Sequence, residues 1–265
     1  MSLLKINNLT LGYGEKVIFP EINIEEDRGS LIALVGSNGR GKSTLLRTIA
    51  SLEQIYTGEI LFDGKPLKSY NRKQMSELVS FVSPIVERAD YLSVEGMLSI
   101  NAYHRTNWLG TLTPKERDRI MEALRQVGME SFIDRSCNSL SDGEYQRITI
   151  AGALVQDSQI ILLDEPTAFL DIANRFMVTR LLAKIAHVEK KLLIFSTHDL
   201  SLAMEICDKL WVMTPDKLYS DTPKNLIAGA SSAGGEGCIL EKMFELEGVE
   251  FDHTTSSFVL KNYAK

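Results

Sequence analysis

Leu31-Ile32-Ala33-Leu34-Val35-Gly36-Ser37-Asn38-Gly39-Arg40-Gly41-Lys42-Ser43-Thr44-Leu45-Leu46 sets an apolar run, a glycine-rich turn and a helix-like run in immediate succession. Gly36, Gly41, Lys42 and Ser43 occupy the fixed places of the phosphate-loop pattern G-x-x-x-x-G-K-[ST]. Glycines at those places let backbone N–H groups turn inward around phosphate oxygens. The loop from Gly36 through Ser37, Asn38, Gly39, Arg40 and Gly41 to Thr44 is therefore the candidate nucleotide cradle. Lys42 supplies a point charge to the β- and γ-phosphates, and the Ser43 hydroxyl is placed to ligate Mg²⁺. The helix that opens near Lys42 adds the positive end of its dipole.

Around that loop the chain is ordinary for a globular protein: 265 residues, 44% hydrophobic and 24% charged. This is enough chain for one large α/β unit with a subdomain. The net charge of −6 gives no global basic field, which argues against nucleic acid as a partner. No apolar run approaches the ~20 residues of a membrane helix, and Met1-Ser2-Leu3-Leu4-Lys5 lacks a signal-peptide layout, so a cytoplasmic protein is expected. Cys137, Cys207 and Cys238 are too few and too scattered for a disulfide framework or a zinc site, and all three are read as free thiols.

Before the loop, Leu4 to Leu11, Val17 to Phe19 and Ile22 to Ile24 alternate apolar and polar positions, the period of half-buried antiparallel strands, with Gly12-Tyr13-Gly14 as a break. Taken locally, Tyr13 fits either plain packing or stacking on a nucleobase. After the loop, Gly58 to Phe62 reads as a strand ending in an Asp63-Gly64 turn, and Val79 to Val82 as another stopped by Ser83-Pro84. From about residue 92 to 137 the pattern is helical, with Ile120, Met121, Leu124 and Val127 on one face and Thr113-Pro114 as a start signal. Leu140-Ser141-Asp142-Gly143-Glu144 opens a further helix with an S-x-x-E capping box, and its glycine opens the backbone to close approach.

Ile160-Ile161-Leu162-Leu163 then runs without alternation into Asp164-Glu165-Pro166, a strand buried on both faces with two carboxylates at its end. Ligands sit at such ends in parallel sheets, so Asp164 can meet Mg²⁺ and Glu165 the attacking water. The run from Lys191 to Asp199 repeats the design, a buried strand and then polar groups at its end, among them His198, a candidate for the γ-phosphate edge. Leu210 to Met213 and Lys217 to Ser220 read as a hairpin, Pro223 starts a short helix, and Ala228 to Gly235 has linker composition ahead of a small C-terminal appendage.

Together these pieces resemble the ATP-binding cassette (ABC) ATPases from Leu3 to about Ile227. The resemblance implies a P-loop NTPase core with a mostly parallel sheet, an antiparallel β subdomain at the N-terminus and an inserted helical subdomain at about 84–145, with domain limits of 1–228 and 229–265. It implies that Gly36–Thr44 is Walker A, Leu140–Arg147 the signature motif, with Ser141 and Gly143 as its phosphate donors, and Ile160–Glu165 Walker B. It further implies that Ala168-Phe169-Leu170-Asp171 is the D-loop, with Asp171 beside the nucleotide, His198 the switch histidine and Tyr13 the base-stacking aromatic. The expected cofactors are ATP and Mg²⁺, the latter on Ser43 and Asp164, with Lys42, Glu165 and His198 as the catalytic set.

Residues 92 to 112, with Tyr103-His104-Arg105-Thr106-Asn107-Trp108-Leu109-Gly110, and Ile239 to Leu260 resemble the corresponding stretches in ATPases of iron-siderophore, haem and cobalamin importers. The expected partners are therefore integral-membrane permease subunits, a second copy closing an ATP sandwich and, indirectly, a solute-binding protein, at the inner face of the cell membrane. A soluble cassette without a permease, such as a metallocluster-assembly factor, is the rival expectation. Two departures stand out. Asp142 puts a negative charge where the family signature has glycine, and Pro84 stands where the family's Q-loop has glutamine, leaving water, Ser83 or Glu87 to replace its Mg²⁺ contact.

Overall fold

The computed structural model describes residues 2–14, 16–84, 88, 91–103, 112–168, 170–229, 238–243, 249–252 and 257–260. The alternating N-terminal stretch forms an antiparallel hairpin of β1 (Leu4–Tyr13) and β2 (Lys16–Glu26). β1 also pairs antiparallel with β4 (Thr57–Phe62), which pairs with β5 (Lys65–Pro66), so this sheet has the order β2-β1-β4-β5. Gly12 and Tyr13 lie inside β1, so the break falls later than the sequence suggests, at Gly14 with its φ of 56°.

The second sheet joins β3 (Leu31–Gly36), β6 (Val79–Val82), β7 (Ile160–Leu163), β8 (Leu192–Ser196), β9 (Lys209–Met213) and β10 (Leu218–Asp221). Its order is β10-β9-β3-β8-β7-β6, with every pairing parallel except the β9–β10 hairpin. That order sets the C-terminal ends of β3, β8 and β7 side by side, where Gly36, Ser196 and Leu163 hand the chain to the polar segments that follow.

The central strands lack alternation because their two faces serve two cores. Leu31, Ala33 and Val35 pack with Ile161, Leu163, Leu193 and Phe195 under the helices. Ile32 and Leu34 pack with Ile160, Leu162, Leu192 and Ile194 against the antiparallel sheet. A polar residue at any of these positions would be buried on whichever face it occupied, so the pattern is uniformly apolar. The Glu26 carboxylate, buried at the end of β2, is matched by Lys209 Nζ (2.7 Å), Trp211 Nε1 (2.9 Å) and the Ser220 hydroxyl (2.7 Å).

The helices are α1 (Lys42–Ile49), α2 (Arg72–Leu78), α3 (Val94–Asn101), α4 (Pro114–Gln126), α5 (Asp142–Gln156), α6 (Ile172–Val188), α7 (Leu200–Ile206) and α8 (Pro223–Ala228). α4 starts where Thr113-Pro114 predicts, and its Ile120 and Leu124 are fully buried against α5 and its neighbours. α2 follows an Asn71–Gln74 capping box that the sequence reading passed over. Beyond α8, Ile239, Leu240 and Met243 are buried in the same core as the helices, and the Ile239 amide donates to the Leu226 carbonyl. β11 (Val249–Asp252) and β12 (Ser257–Leu260) form a terminal hairpin. The linker-like residues 230–237 lie outside the described residues. No described helix is long and apolar enough to cross a membrane. Cys137, Cys207 and Cys238 are free and buried, and burial pushes their thiols up.

Candidate active site

Every α-helix of the described residues except α1 has a side chain capping its N-terminus: Asn71, Ser93, Thr113, Ser141, Asp171, Asp199 and Thr222 each accept from an amide in the first turn. α1 starts instead at Gly41, in left-handed backbone at φ 100°, with no side chain to offer. Its first-turn amides are open to an external anion. Gly41 is required by that φ, and a Cβ on Gly36 would come within 3.0 Å of Met213 on the neighbouring strand. The loop between them faces a cleft of about 510 Å³ lined by Asn38, Gly39, Gly41 to Thr44, Glu165 and, from β2, Lys16, Val17 and Ile18.

Lys42 is buried, and its Nζ donates to the Gly36 carbonyl (2.8 Å) and the Ser37 carbonyl (3.2 Å). Burial draws its pKa below the usual lysine range, and the nearby carboxylates of Glu165 and Asp164 oppose that shift. Within the loop, the Arg40 amide donates to the Ser37 carbonyl, and the Ser37 hydroxyl donates to the Met243 carbonyl (3.0 Å). This last contact brings the C-terminal segment against the loop, a long-range pairing for which the sequence carries no signal.

Asp164 follows β7 and is buried. Its Oδ1 accepts from the Ser196 hydroxyl at the end of β8 (2.6 Å), and that hydroxyl in turn accepts from the Glu165 amide (2.8 Å). Asp164 Oδ2 has no hydrogen-bond partner among the described residues. The chain then turns through Glu165 at φ 50°, a left-handed conformation that costs a non-glycine residue of order 1–3 kcal/mol. The turn sets the Glu165 carboxylate on the cleft wall, with Oε1 2.8 Å from His198 Nε2. Ser196 thus organises both acids, and the sequence reading missed it although a hydroxyl ending a buried apolar strand was a legible signal. Thr197, Arg175 and Asp199 line a smaller recess beside Glu165 and His198.

The signature stretch forms a separate cluster. Ser141 caps α5, accepting from the Glu144 amide while its own amide donates to the Glu144 carboxylate (2.8 Å). Gly143 is where α5 meets α6: an added Cβ would lie 3.0 Å from the Asn174 side chain. Asn174 is held by Asp171, which accepts from its backbone amide (2.8 Å) and its Nδ2 (3.1 Å). Ser141, Gly143 and Asp171 are therefore one local group, and among the described residues no hydrogen bond or ion pair joins them to the loop of residues 36–44.

Tyr13 stands half-exposed at the tip of the β1–β2 hairpin, paired across it with Lys16, whose strand walls the cleft. Ser83 lines a groove of about 330 Å³ with Leu92, Met97 and Tyr145 rather than the nucleotide-side cleft. Glu87, Phe169 and the stretch from His104 to Gly110 lie outside the described residues.

An ABC transporter family model matches residues 19–168. The chain is 35% identical over 82% of its length to the petrobactin import ATP-binding protein FpuD of Bacillus anthracis, covering 80% of that protein. It is 31% identical over 77% of its length to the iron(3+)-hydroxamate import ATP-binding protein FhuC of Bacillus subtilis, covering 76% of it. Among solved structures, the dimeric ATP-binding cassette MJ0796, in a post-hydrolysis state bound to ADP and Pi, superposes with a TM-score of 0.72 at 25% identity, covering 83% of this chain and 98% of that one. With the P-loop fold, the open helix terminus and the strand-end acids in place, the chain belongs to the ABC transporter family as one of its ATP-hydrolysing cassettes.

Proposed function

We propose that the chain is the ATP-hydrolysing subunit of an importer of iron chelates of the siderophore type, or of the related haem or cobalamin type, working as an ATP-sandwich dimer against membrane permease subunits. The observation that carries the sandwich is the division of the site into two clusters that no hydrogen bond or ion pair joins among the described residues. In this reading the open N-terminus of α1 and Lys42 of one copy hold the phosphates, and the Ser141–Gly143 turn of the second copy closes over them. Tyr13 offers its exposed ring to the base, and Asp171 holds the α6 end beside the signature turn.

Mg²⁺ fits the residues present. Asp164 is buried with one oxygen fixed by Ser196 and the other without a hydrogen-bond partner among the described residues, and Ser43 is a cleft residue in the first turn of α1. Mg²⁺ keeps most of its ligands from phosphates and water and needs only one or two from the protein. When bound, it would supply charge neutralisation to the β- and γ-phosphates. The protein's own part is positioning. Glu165 orients and polarises the attacking water, and His198 holds the Glu165 carboxylate in place and stands ready for the γ-phosphate edge. Little covalent chemistry is left for the protein to perform.

The importer assignment is supported by the petrobactin and iron(3+)-hydroxamate importers among the relatives. It puts the chain at the inner face of the membrane, docked on its permease. The test is affinity purification of the tagged chain from detergent-solubilised membranes of its source cells, with uptake of labelled ferric chelates measured alongside. Co-purification of a polytopic membrane protein and loss of uptake in Glu165→Gln cells are expected. Recovery of the chain from the soluble fraction alone, with uptake intact, would favour a cassette acting in metallocluster assembly.

A further inference from the structure

The departure from the family pattern at Asp142 is met by one side chain. Arg88, in the segment beyond β6, reaches the start of α5 with three contacts. Its Nη1 donates to the Leu140 carbonyl (2.5 Å), its Nη2 donates to Asp142 Oδ1 (2.5 Å), and its Cζ lies 4.8 Å from the centre of the Tyr145 ring. The guanidinium is largely covered, at 21% exposure, whereas Asp142 is 60% exposed.

We propose that Arg88 is a positioning residue for the signature turn, neutralising Asp142 so that Ser141 and Gly143 can approach a triphosphate. The inference rests on the sandwich reading above. A carboxylate in the first turn of α5 is favoured by the helix dipole, so Asp142 needs no partner for the sake of the helix. Facing a second copy's nucleotide it is a liability, because Asp142 and Glu144 place two negative charges in the turn that must accept phosphate oxygens. Arg88 cancels one of them and, through the Leu140 carbonyl, fixes the residue just before the Ser141 cap.

With its carboxylate in solvent, the pair is worth little to stability, ~1 kcal/mol or less. Its effect falls on closure, where a third charged party arrives. β6 ends at Val82, whose carbonyl accepts from the Asp164 amide (2.9 Å).

The test uses the full chain in the Glu165→Gln background, where closure is read directly as the ATP concentration giving half-dimerisation by light scattering. Arg88→Ala should raise that concentration about tenfold, the effect of one uncompensated charge near the phosphates, while fluorescent ADP binds the monomer within about twofold of the parent. Adding Asp142→Asn should recover most of the loss. The deficit should also shrink at 1 M salt, where the screening length is ~3 Å. Arg88→Gln, which keeps a donor for Leu140, carries the same comparison if Arg88→Ala does not fold. Unchanged closure in the Arg88 variants, or a deficit that neither Asp142→Asn nor salt relieves, overturns the proposal. A Glu165→Gln parent that never dimerises fails the sandwich itself, a separate outcome.

Discussion

Two helix N-termini carry the two halves of this site, and they are finished in opposite ways. α1 opens at a glycine in left-handed backbone and leaves its first amides to the cleft. α5 opens at a serine whose hydroxyl, amide and neighbouring carboxylates are already engaged by Glu144 and Arg88. The first end is incomplete without an anion. The second is complete as it stands and can be presented whole to something assembled elsewhere. On the proposed sandwich reading, the difference means that the loop half binds on its own and that the signature half acts only on a nucleotide already held.

The largest effect that sharpens this comparison is on the loop half. Lys42→Ala should lower ATP affinity of the monomer by at least about a hundredfold, since it removes the buried cation aimed at the phosphates. The check is calorimetric titration with the protein confirmed folded. Retained affinity would move the binding determinant away from α1.

Ser196→Ala is next. It leaves Asp164 Oδ1 without its donor in a buried setting and the Glu165 amide without its acceptor in a partly buried one. Stability should fall by about 1–3 kcal/mol, and turnover about tenfold with a raised Mg²⁺ requirement. Thermal unfolding and Mg²⁺ titration of the ATPase rate separate the two effects.

The depressed Lys42 pKa gives a smaller, pH-dependent effect with opposite signs in two measurements. Between that pKa and the ordinary lysine value of about 10.4, the unfolded chain binds more protons than the folded one, so the contribution of Lys42 makes stability rise with pH. Over the same window the cation is lost, so ATP affinity should fall, and it should begin to do so below the ordinary lysine range. Bound phosphate favours the charged lysine and should push the fall to higher pH at saturating ATP. A pH series on wild type against Lys42→Ala isolates the term, which should vanish in the variant.

Smallest is Asp142→Gly. Because Arg88 already compensates the carboxylate, restoring the family's glycine should change the ATPase rate by less than about threefold, or ~0.65 kcal/mol of barrier. A tenfold gain would show that the pair restrains closure.

The legible part of this molecule is what local pattern encodes. The phosphate loop, the doubly buried strands that lead into Asp164 and His198, the amphipathic α4 and the Ser141–Glu144 box all follow from spacing and residue chemistry within a short window. Ser196 was half legible, a hydroxyl closing a buried run whose partner is the neighbouring strand. Arg88, Asn174 and the Met243 carbonyl were not legible. Each acts through a contact between segments far apart in the chain, and nothing in the local sequence of an arginine after a strand names the carbonyl, carboxylate and ring it will meet. Gly143 shows the boundary: its presence in a first turn signals close approach, but only the packing of α6 reveals that Asn174 is what approaches.

The measurement that bears most directly on the central claim is light scattering of concentrated Glu165→Gln protein with and without Mg²⁺ and ATP. If each chain holds two half-sites that are completed by a second copy, ATP should convert monomer to a stable dimer, because closure needs ATP and reopening needs its cleavage. ADP should leave the monomer unchanged. Monomer at every ATP concentration would contradict the account.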